Sequence, residues 1–189
     1  MKKMSIIVPY RDREEHLKKF VPHMHMFLKG KQDFSINIIE QANDKPFNRA
    51  MLLNVGFDLT KDDCDYVCFH DVDLLPVSKN VDYSYTESVS KVFDRISCFN
   101  FEKRPTHELG GIIVFNKEKF ISINGYSTDY WGWGAEDADL GLRCQKNNVE
   151  ILQRQGTFLA LYHETNGDTI AKKPVTEHTK KNRQLLNDV

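Results

Sequence analysis

Three short apolar runs, separated by stretches of helical periodicity, limit the first half of this chain to very few folds. Ile6-Ile7-Val8 is a continuous apolar run closed by Pro9, as a strand buried on both faces requires. Over residues 14–28, Leu17, Phe20, Val21, Met24 and Leu28 recur at helical spacing, with a break or kink expected at Pro22. Residues 35–40 supply a second strand. Lys45-Pro46-Phe47-Asn48-Arg49 then leads into a helix expected to carry Met51, Leu52, Val55 and Leu59 on one face. A third strand over residues 66–70 runs into Asp71-Val72-Asp73-Leu74-Leu75-Pro76. This alternation implies a parallel sheet with right-handed crossovers. Such sheets bind ligands beyond the carboxyl ends of their strands, and Asp71 and Asp73 stand at such an end.

The second half is less regular. A helix is expected near residues 86–94, a short strand over 97–99, then a polar stretch over 102–108. Gly110-Gly111 precedes an apolar run at 112–115, residues 117–123 look helical, and Asn124-Gly125 makes a turn. A helix over 136–145 follows, then strands at 150–152 and 158–162 bracketing Gly156, the second ending on His163. Residues 176–189 suggest a polar terminal helix.

At 189 residues a single domain with a sizeable core is expected without staples. Twenty-six basic against 27 acidic residues give no global attraction to nucleic acid or to an anionic membrane. Cys64, Cys68, Cys98 and Cys144 include no CxxC pair and suggest reduced thiols. The first apolar run is too short for a signal peptide or a membrane span. Taken as the natural start, this N-terminus predicts a cytoplasmic protein, at most peripheral to the inner face of the membrane.

Both tryptophans fall in Trp131-Gly132-Trp133-Gly134-Ala135-Glu136-Asp137-Ala138-Asp139. Alternate glycines let such a segment hinge as a flap, and the indole faces suit a sugar ring. Two accounts of the acidic run are open: it lines a site, or it complements the amides and dipole at a helix start. Asp71-x-Asp73 can give hard oxygen ligands to a divalent ion on a diphosphate, or can simply make a turn. The guanidinium groups of Arg11, Arg13 and Arg49 match phosphate oxygens, or form surface ion pairs. His163 is a metal ligand or a hydrogen-bonded imidazole, and His23-x-His25 is structural because the two would splay on a helix. What favours function is that the sheet argument sends all these loops to one edge.

In their order and intervals, Ile7-Val8-Pro9-Tyr10-Arg11-Asp12-Arg13, Phe47-Asn48-Arg49-Ala50 with Leu53-Asn54-Val55-Gly56-Phe57, Asp71-Val72-Asp73-Leu74, and Ile123-Asn124-Gly125-Tyr126 through Trp131-Gly132-Trp133-Gly134 to Glu136-Asp137 resemble the β-1,4-galactosyltransferase family. The resemblance runs from about residue 6 to 163. It implies a GT-A fold, an α/β Rossmann-like domain with a mostly parallel central sheet flanked by helices. Its nucleotide-binding half would be about 1–76 and its acceptor and lid half about 77–175, followed by the polar helix. The implied activity is inverting, metal-dependent transfer of galactose or N-acetylgalactosamine from a UDP-sugar to a sugar hydroxyl, forming a β-1,4 linkage in a surface glycan. By the same resemblance Pro9, Arg11, Arg13, Phe47, Arg49, Asp71, Val72 and Asp73 would bind the donor, and Asp73 and His163 would hold manganese. Trp133 would close over both sugars, Asp137 would be the general base, and Glu136 would help hold the acceptor.

The chain also departs from the family pattern. Ala138 stands where the family's acidic run continues, removing a group that hydrogen-bonds the acceptor. Ala160 stands where animal members often offer a methionine to the metal, leaving that position to water or another side chain. Glu108-Leu109 replaces an aromatic pair tied to donor choice, and Tyr162-His163-Glu164 resembles the bacterial chondroitin-polymerase branch, which transfers N-acetylgalactosamine. The membrane anchor and stem of animal members are not expected. Two other functions use the same residues: a metal-dependent phosphohydrolase acting on nucleotide sugars through Asp71, Asp73 and His163, and a non-catalytic glycan-binding module.

Overall fold

A computed structural model of the protein describes residues 1–102, 109–162 and 176–187. Among them, the principal sheet begins with β1 (Lys3–Tyr10), β2 (Asp33–Glu40) and β3 (Tyr66–His70), which pair in parallel in the order β2-β1-β3. The crossovers are α1 (Glu14–Leu28) and α2 (Arg49–Thr60). After β4 (Leu74–Pro76), β5 (Val89–Lys91) and β6 (Arg95–Ile96) comes β7 (Ile112–Asn116). It pairs antiparallel with β3 on one side and β5 on the other. α3 (Lys117–Ser122), α4 (Glu136–Lys146), β8 (Ile151–Gln153), β9 (Thr157–Ala160) and α5 (Glu177–Asn187) complete the described chain. The principal sheet has the order β2-β1-β3-β7-β5-β8, in which β7 alone opposes the rest, and β4-β9-β6 form a second, small sheet.

The period of two along the strands divides the interior in two. Met4, Ile6 and Val8 of β1, with Tyr66, Cys68, Ile112 and Val114, pack on Phe20, Met24 and Leu28 of α1. Ile7, Val67, Phe69, Ile113 and Phe115 pack on Ala50, Leu53 and Phe57 of α2. Both faces of β1 and β3 are thus covered, which is why their sequences are uninterrupted apolar runs.

Several elements differ from expectation. α1 continues through Pro22 without a break, because Pro22 is on the exposed side and Phe20, Met24 and Leu28 clamp the opposite side to the sheet. On α2 the buried residues are Ala50, Leu52, Leu53, Gly56 and Phe57, while Met51, Val55 and Leu59 face solvent. The small residues Ala50 and Gly56 decide this by letting the helix lie close on Ile7 and Ile39. In place of a helix at 86–94 the chain forms β5, whose Val89 sits between Phe115 and Ile151, so strand pairing overrides helical spacing. Residues 97–99 form a 3-10 turn ended by Asn100 in the left-handed region. The expected helix starting at 136 and the polar terminal helix are present as α4 and α5.

The four cysteines are free. Among the described residues no helix is long and apolar enough to cross a membrane.

A Cβ on Gly56 would meet Ile7 Cγ2 at 2.3 Å and Ile39 Cγ1 at 2.9 Å. Overpacking of this kind costs ~1–3 kcal/mol, so Gly56→Ala should melt several degrees below the wild type by calorimetry. A melting temperature equal to or above that of the wild type would show that α2 does not depend on this close approach.

Candidate functional site

At the carboxyl end of β3 the chain turns sharply: the Asp71 amide donates to the Gly111 carbonyl (3.2 Å), and the Leu74 amide donates to the Asp71 carbonyl (3.3 Å). Arg49 opens α2 beside this turn. Its Nε donates to Asp71 Oδ1 at 2.8 Å, and its Nη1 lies 3.9 Å from Glu136 Oε1 at the start of α4. Among the described residues Nη1 and Nη2 are buried without a close hydrogen-bond partner, as is the Tyr126 hydroxyl, whose nearest influence is Arg49 itself. Burial opposes charge on Arg49, but Asp71, Tyr126 and Glu136 outweigh it and hold the guanidinium firmly protonated. Burial likewise raises the pKa of Asp71, against the pull of Arg49. Glu136 is pushed up to about 7, by burial first and by Asp137 second, with Arg49 pulling the other way.

Asp137 completes the group. Its Oδ1 accepts from the Ala138 amide at 2.8 Å, which folds the carboxylate back over the first turn of α4. Its Oδ2 lies above Gly110, where a Cβ would stand only 2.6 Å away. The glycine before β7 therefore makes room for the carboxylate.

The tryptophan segment is tied down from the α2 side. Asn54 donates to the Tyr126 carbonyl and accepts from its amide (2.8 and 3.0 Å). Asn48, whose Oδ1 also caps α2 through Met51, donates to the Thr128 carbonyl at 2.8 Å. The Gly132 amide donates to the Phe47 carbonyl at 2.8 Å. Gly132, Gly134 and Ala135 all take positive φ (77°, 96° and 81°), and Trp133 is half exposed. A non-glycine residue held in the left-handed region at the head of a helix is strained, and such strain gathers at functional segments.

The other sequence-derived candidates spread along the same edge. Pro9 is buried near the end of β1, and Val72 is buried in the turn. Arg11 donates to the Lys45 carbonyl at 2.7 Å, with its guanidinium 5.5 Å from the Phe47 ring centroid. Arg13 instead lines an open cleft of about 490 Å³ with Tyr10, Asp12 and Glu40. Asp73 accepts at its carbonyl from the Leu161 amide (2.7 Å), and Ala160 pairs with Leu74, so β9 delivers the chain to this turn. His163 and Glu108 lie outside the described residues. Among those described, no three His, Cys, Asp or Glu side chains gather as a metal-ligand group. His23 takes the structural role expected of it, 2.8 Å from the Pro76 carbonyl. Sequence reasoning missed the parts played by Gly110, Tyr126, Asn48 and Asn54, for which the Gly110-Gly111 doublet before a strand was the one local signal.

Residues 1–86 match the model for the N-terminal region of glycosyl transferase group 7, and residues 91–164 that for the N-terminal domain of galactosyltransferase. Human β-1,4-galactosyltransferase 4 is 37% identical over 169 residues, 86% of this chain and 49% of its own length. Human β-1,4-galactosyltransferase 1 is 42% identical over 152 residues, 79% of this chain and 38% of its own. A crystal structure of a mutant Drosophila β-1,4-galactosyltransferase 7 in complex with manganese, UDP-Gal and xylobiose superposes with a TM-score of 0.82 at 31% identity, covering 97% of this chain and 80% of that one. The chain belongs to the β-1,4-galactosyltransferase family. Its mostly parallel sheet flanked by helices is that family's GT-A architecture. GalNAc-T7, at 9% identity and a TM-score of 0.61, shares the fold alone. The chain spans about half the length, or less, of the curated relatives it matches.

The charge state of Glu136 has a measurable consequence. The native protein holds this proton up to about pH 7, whereas an unstrained glutamate releases it near 4.5. The folded state thus binds more protons across that window, and stability falls as pH rises through it. Glu136→Gln should flatten this decline, so its melting temperature gains on the wild type from pH 5 to pH 8. Parallel curves across that range would place the Glu136 carboxylate in a more solvated setting.

Proposed function

We propose that this chain is an inverting, metal-dependent galactosyltransferase that moves galactose from UDP-galactose to a sugar hydroxyl, forming a β-1,4 linkage in a surface glycan. The observation that carries the reading is the meeting of Arg49, Asp71, Glu136 and Asp137 against Gly110 at the carboxyl edge of the sheet. The relative solved with manganese, UDP-Gal and xylobiose supports the same substrate classes. N-acetylgalactosamine is the second candidate donor, on the strength of Glu108-Leu109 and Tyr162-His163-Glu164.

The residues present suit a divalent cation. Arg49 engages Asp71 Oδ1, Asp73 is the second hard oxygen donor of the pair, and β9 brings the chain to the Asp73 turn two residues before His163. Asp73 and His163 would hold the ion, which when bound stabilises negative charge on the leaving diphosphate. The remaining roles belong to the chain. Arg11 and Phe47 flank the nucleotide side, with Arg13, Pro9 and Val72 beside them. Buried and short of close hydrogen bonds, with Glu136 3.9 Å from Nη1, the Arg49 Nη atoms are donors that an oxygen-rich ligand satisfies.

In the transfer itself, the acceptor oxygen forms a bond to the anomeric carbon as the bond to the diphosphate oxygen breaks, and that electron pair leaves with UDP. The acceptor's proton passes to Asp137. With Oδ1 engaged by the Ala138 amide, Oδ2 is the atom that takes it. Glu136, poised to gain or lose a proton near neutrality, holds the acceptor by hydrogen bond. Trp133 covers the sugars and keeps water from competing as acceptor.

Incubation with UDP-galactose or UDP-N-acetylgalactosamine, manganese and a panel of saccharides including xylobiose tests the reading. Transfer supports it; hydrolysis alone identifies a phosphohydrolase, and binding without turnover a glycan-binding module. Asp137→Asn should lower turnover on the order of a hundred- to ten-thousandfold while donor affinity holds, and equal turnover would remove Asp137 from the role. Gly110→Ala should displace that same carboxylate, lowering turnover on the order of a hundredfold. Its melting temperature should stay close to that of the wild type, because only a side-chain tip must move.

A further inference from the structure

The segment that carries Trp133 is gripped from a second side, by α5. The Asn182 side chain is buried, and its Nδ2 donates to two carbonyls at once, Trp131 at 3.1 Å and Gly134 at 2.9 Å. Those two carbonyls bracket Trp133. An amide nitrogen with two hydrogens is the one group at this position that can satisfy both acceptors, so the orientation of the carboxamide is determined by its partners. One turn earlier on the same helix, the His178 side chain closes on Gly132, where a Cβ would lie 3.2 Å from its own Cβ.

The manner of attachment matters as much as its place. The fully buried residues of α5 are Thr179 and Asn182, both polar; Leu185 and Leu186 are half-buried, and among the described residues none of the helix belongs to either apolar core. A helix held by apolar burial would be fixed with the core. One held by a buried carboxamide against two backbone carbonyls is set by a few directional contacts, which form or break together. On the far side of the segment Gly132 is tied to Phe47, and within it Gly132, Gly134 and Ala135 take left-handed angles. The backbone that carries Trp133 therefore lies between a tie to Phe47, just ahead of α2, and a latch on α5, immediately ahead of Glu136 and Asp137.

We propose that Asn182 is a positioning residue for the transfer reaction: by latching the Trp131 and Gly134 carbonyls to α5, it sets where Trp133 lies over the sugars and how Glu136 and Asp137 enter the site. The assignment rests on the glycosyltransferase reading above for its catalytic consequence, but the latch itself can be observed without any turnover. Trp131 and Trp133 are the only tryptophans of the chain, so its intrinsic emission reports on this segment alone.

Asn182→Asp keeps the shape of the side chain and replaces the double donor by an acceptor facing two acceptors. In the full chain, with folding checked by circular dichroism, the variant should show red-shifted tryptophan emission and greater quenching by acrylamide than the wild type. With UDP-galactose, manganese and a productive acceptor, its ratio of transfer to hydrolysis should fall on the order of ten- to a hundredfold and its acceptor KM rise. Affinity for UDP, which lacks the sugar that lies beneath Trp133, should hold, because Arg11 and Asp71 are fixed by the Lys45 carbonyl and by Arg49. A folded Asn182→Asp with unchanged emission and quenching overturns the latch, as does a variant that only melts earlier. If the wild type transfers no sugar, the functional reading fails while the fluorescence comparison still decides the latch. Should Asn182→Asp not fold, Asn182→Ser, with one donor on a shorter arm, takes the same quenching test.

Discussion

A buried guanidinium at the edge of the sheet organises this molecule. Arg49 costs free energy where it sits unless carboxylates stand against it, and the chain brings Asp71 and Glu136 from separate elements to do so. Each neighbour then inherits a constraint. Asp71 must turn directly after β3, Glu136 must open its helix facing α2, and α2 must start at one height above the sheet. Asn48 sets that start by capping the helix, and Gly56 sets the height by letting the helix touch Ile7 and Ile39. Removal of Asp71 or Glu136 would take away a counter-charge of the buried guanidinium, so the fold and the site are held by the same contacts.

Asparagine side chains extend that control to a part of the chain with little core of its own. Asn54 and Asn48 fasten the backbone at Tyr126 and Thr128, and Asn182 fastens it at Trp131 and Gly134. Carboxamides suit this work because each can satisfy backbone donors and acceptors without bringing charge into the junction. Gly132 and Gly134 take left-handed angles at no steric cost, and the strained angle at Ala135 persists because contacts on both sides over-determine it.

The legible part of the sequence was the part whose pattern is local. β1 and β3 are buried on both faces, so their apolar runs are strong signals, and the polar face of α1 made its period plain. The face of α2 was misjudged because its contact stripe runs through Ala50 and Gly56, which carry little apolar weight yet allow the closest approach. β5 takes the place of the helix expected near 86–94 because the pairing that decides the matter comes from the distant strands β7 and β8. At the site, the meeting of Arg49 with Asp71 followed from sheet topology. The pairing of Asn182 with Trp131 spans 51 positions and leaves no trace in composition or period. The room that Gly110 makes for Asp137 was equally hidden, since it depends on where a distant helix begins.

The three carboxylates at the start of α4 admit a test between two physical accounts. If they were there to complement the helix dipole, they should be solvated, and their charged forms should be favoured. Glu136 behaves oppositely: it is buried beside Asp137 and pushed up to about 7, so its ionisation costs the fold more than the helix end returns. The residue preceding it, Ala135, offers no capping side chain and takes a left-handed angle that an alanine adopts at a cost. A helix start assembled for stability would have a serine or aspartate cap, a relaxed backbone and exposed acids. This one keeps a strained entry, a carboxylate resisting ionisation and another laid against a glycine, the pattern of cost that gathers at functional sites and that the proposed chemistry accounts for.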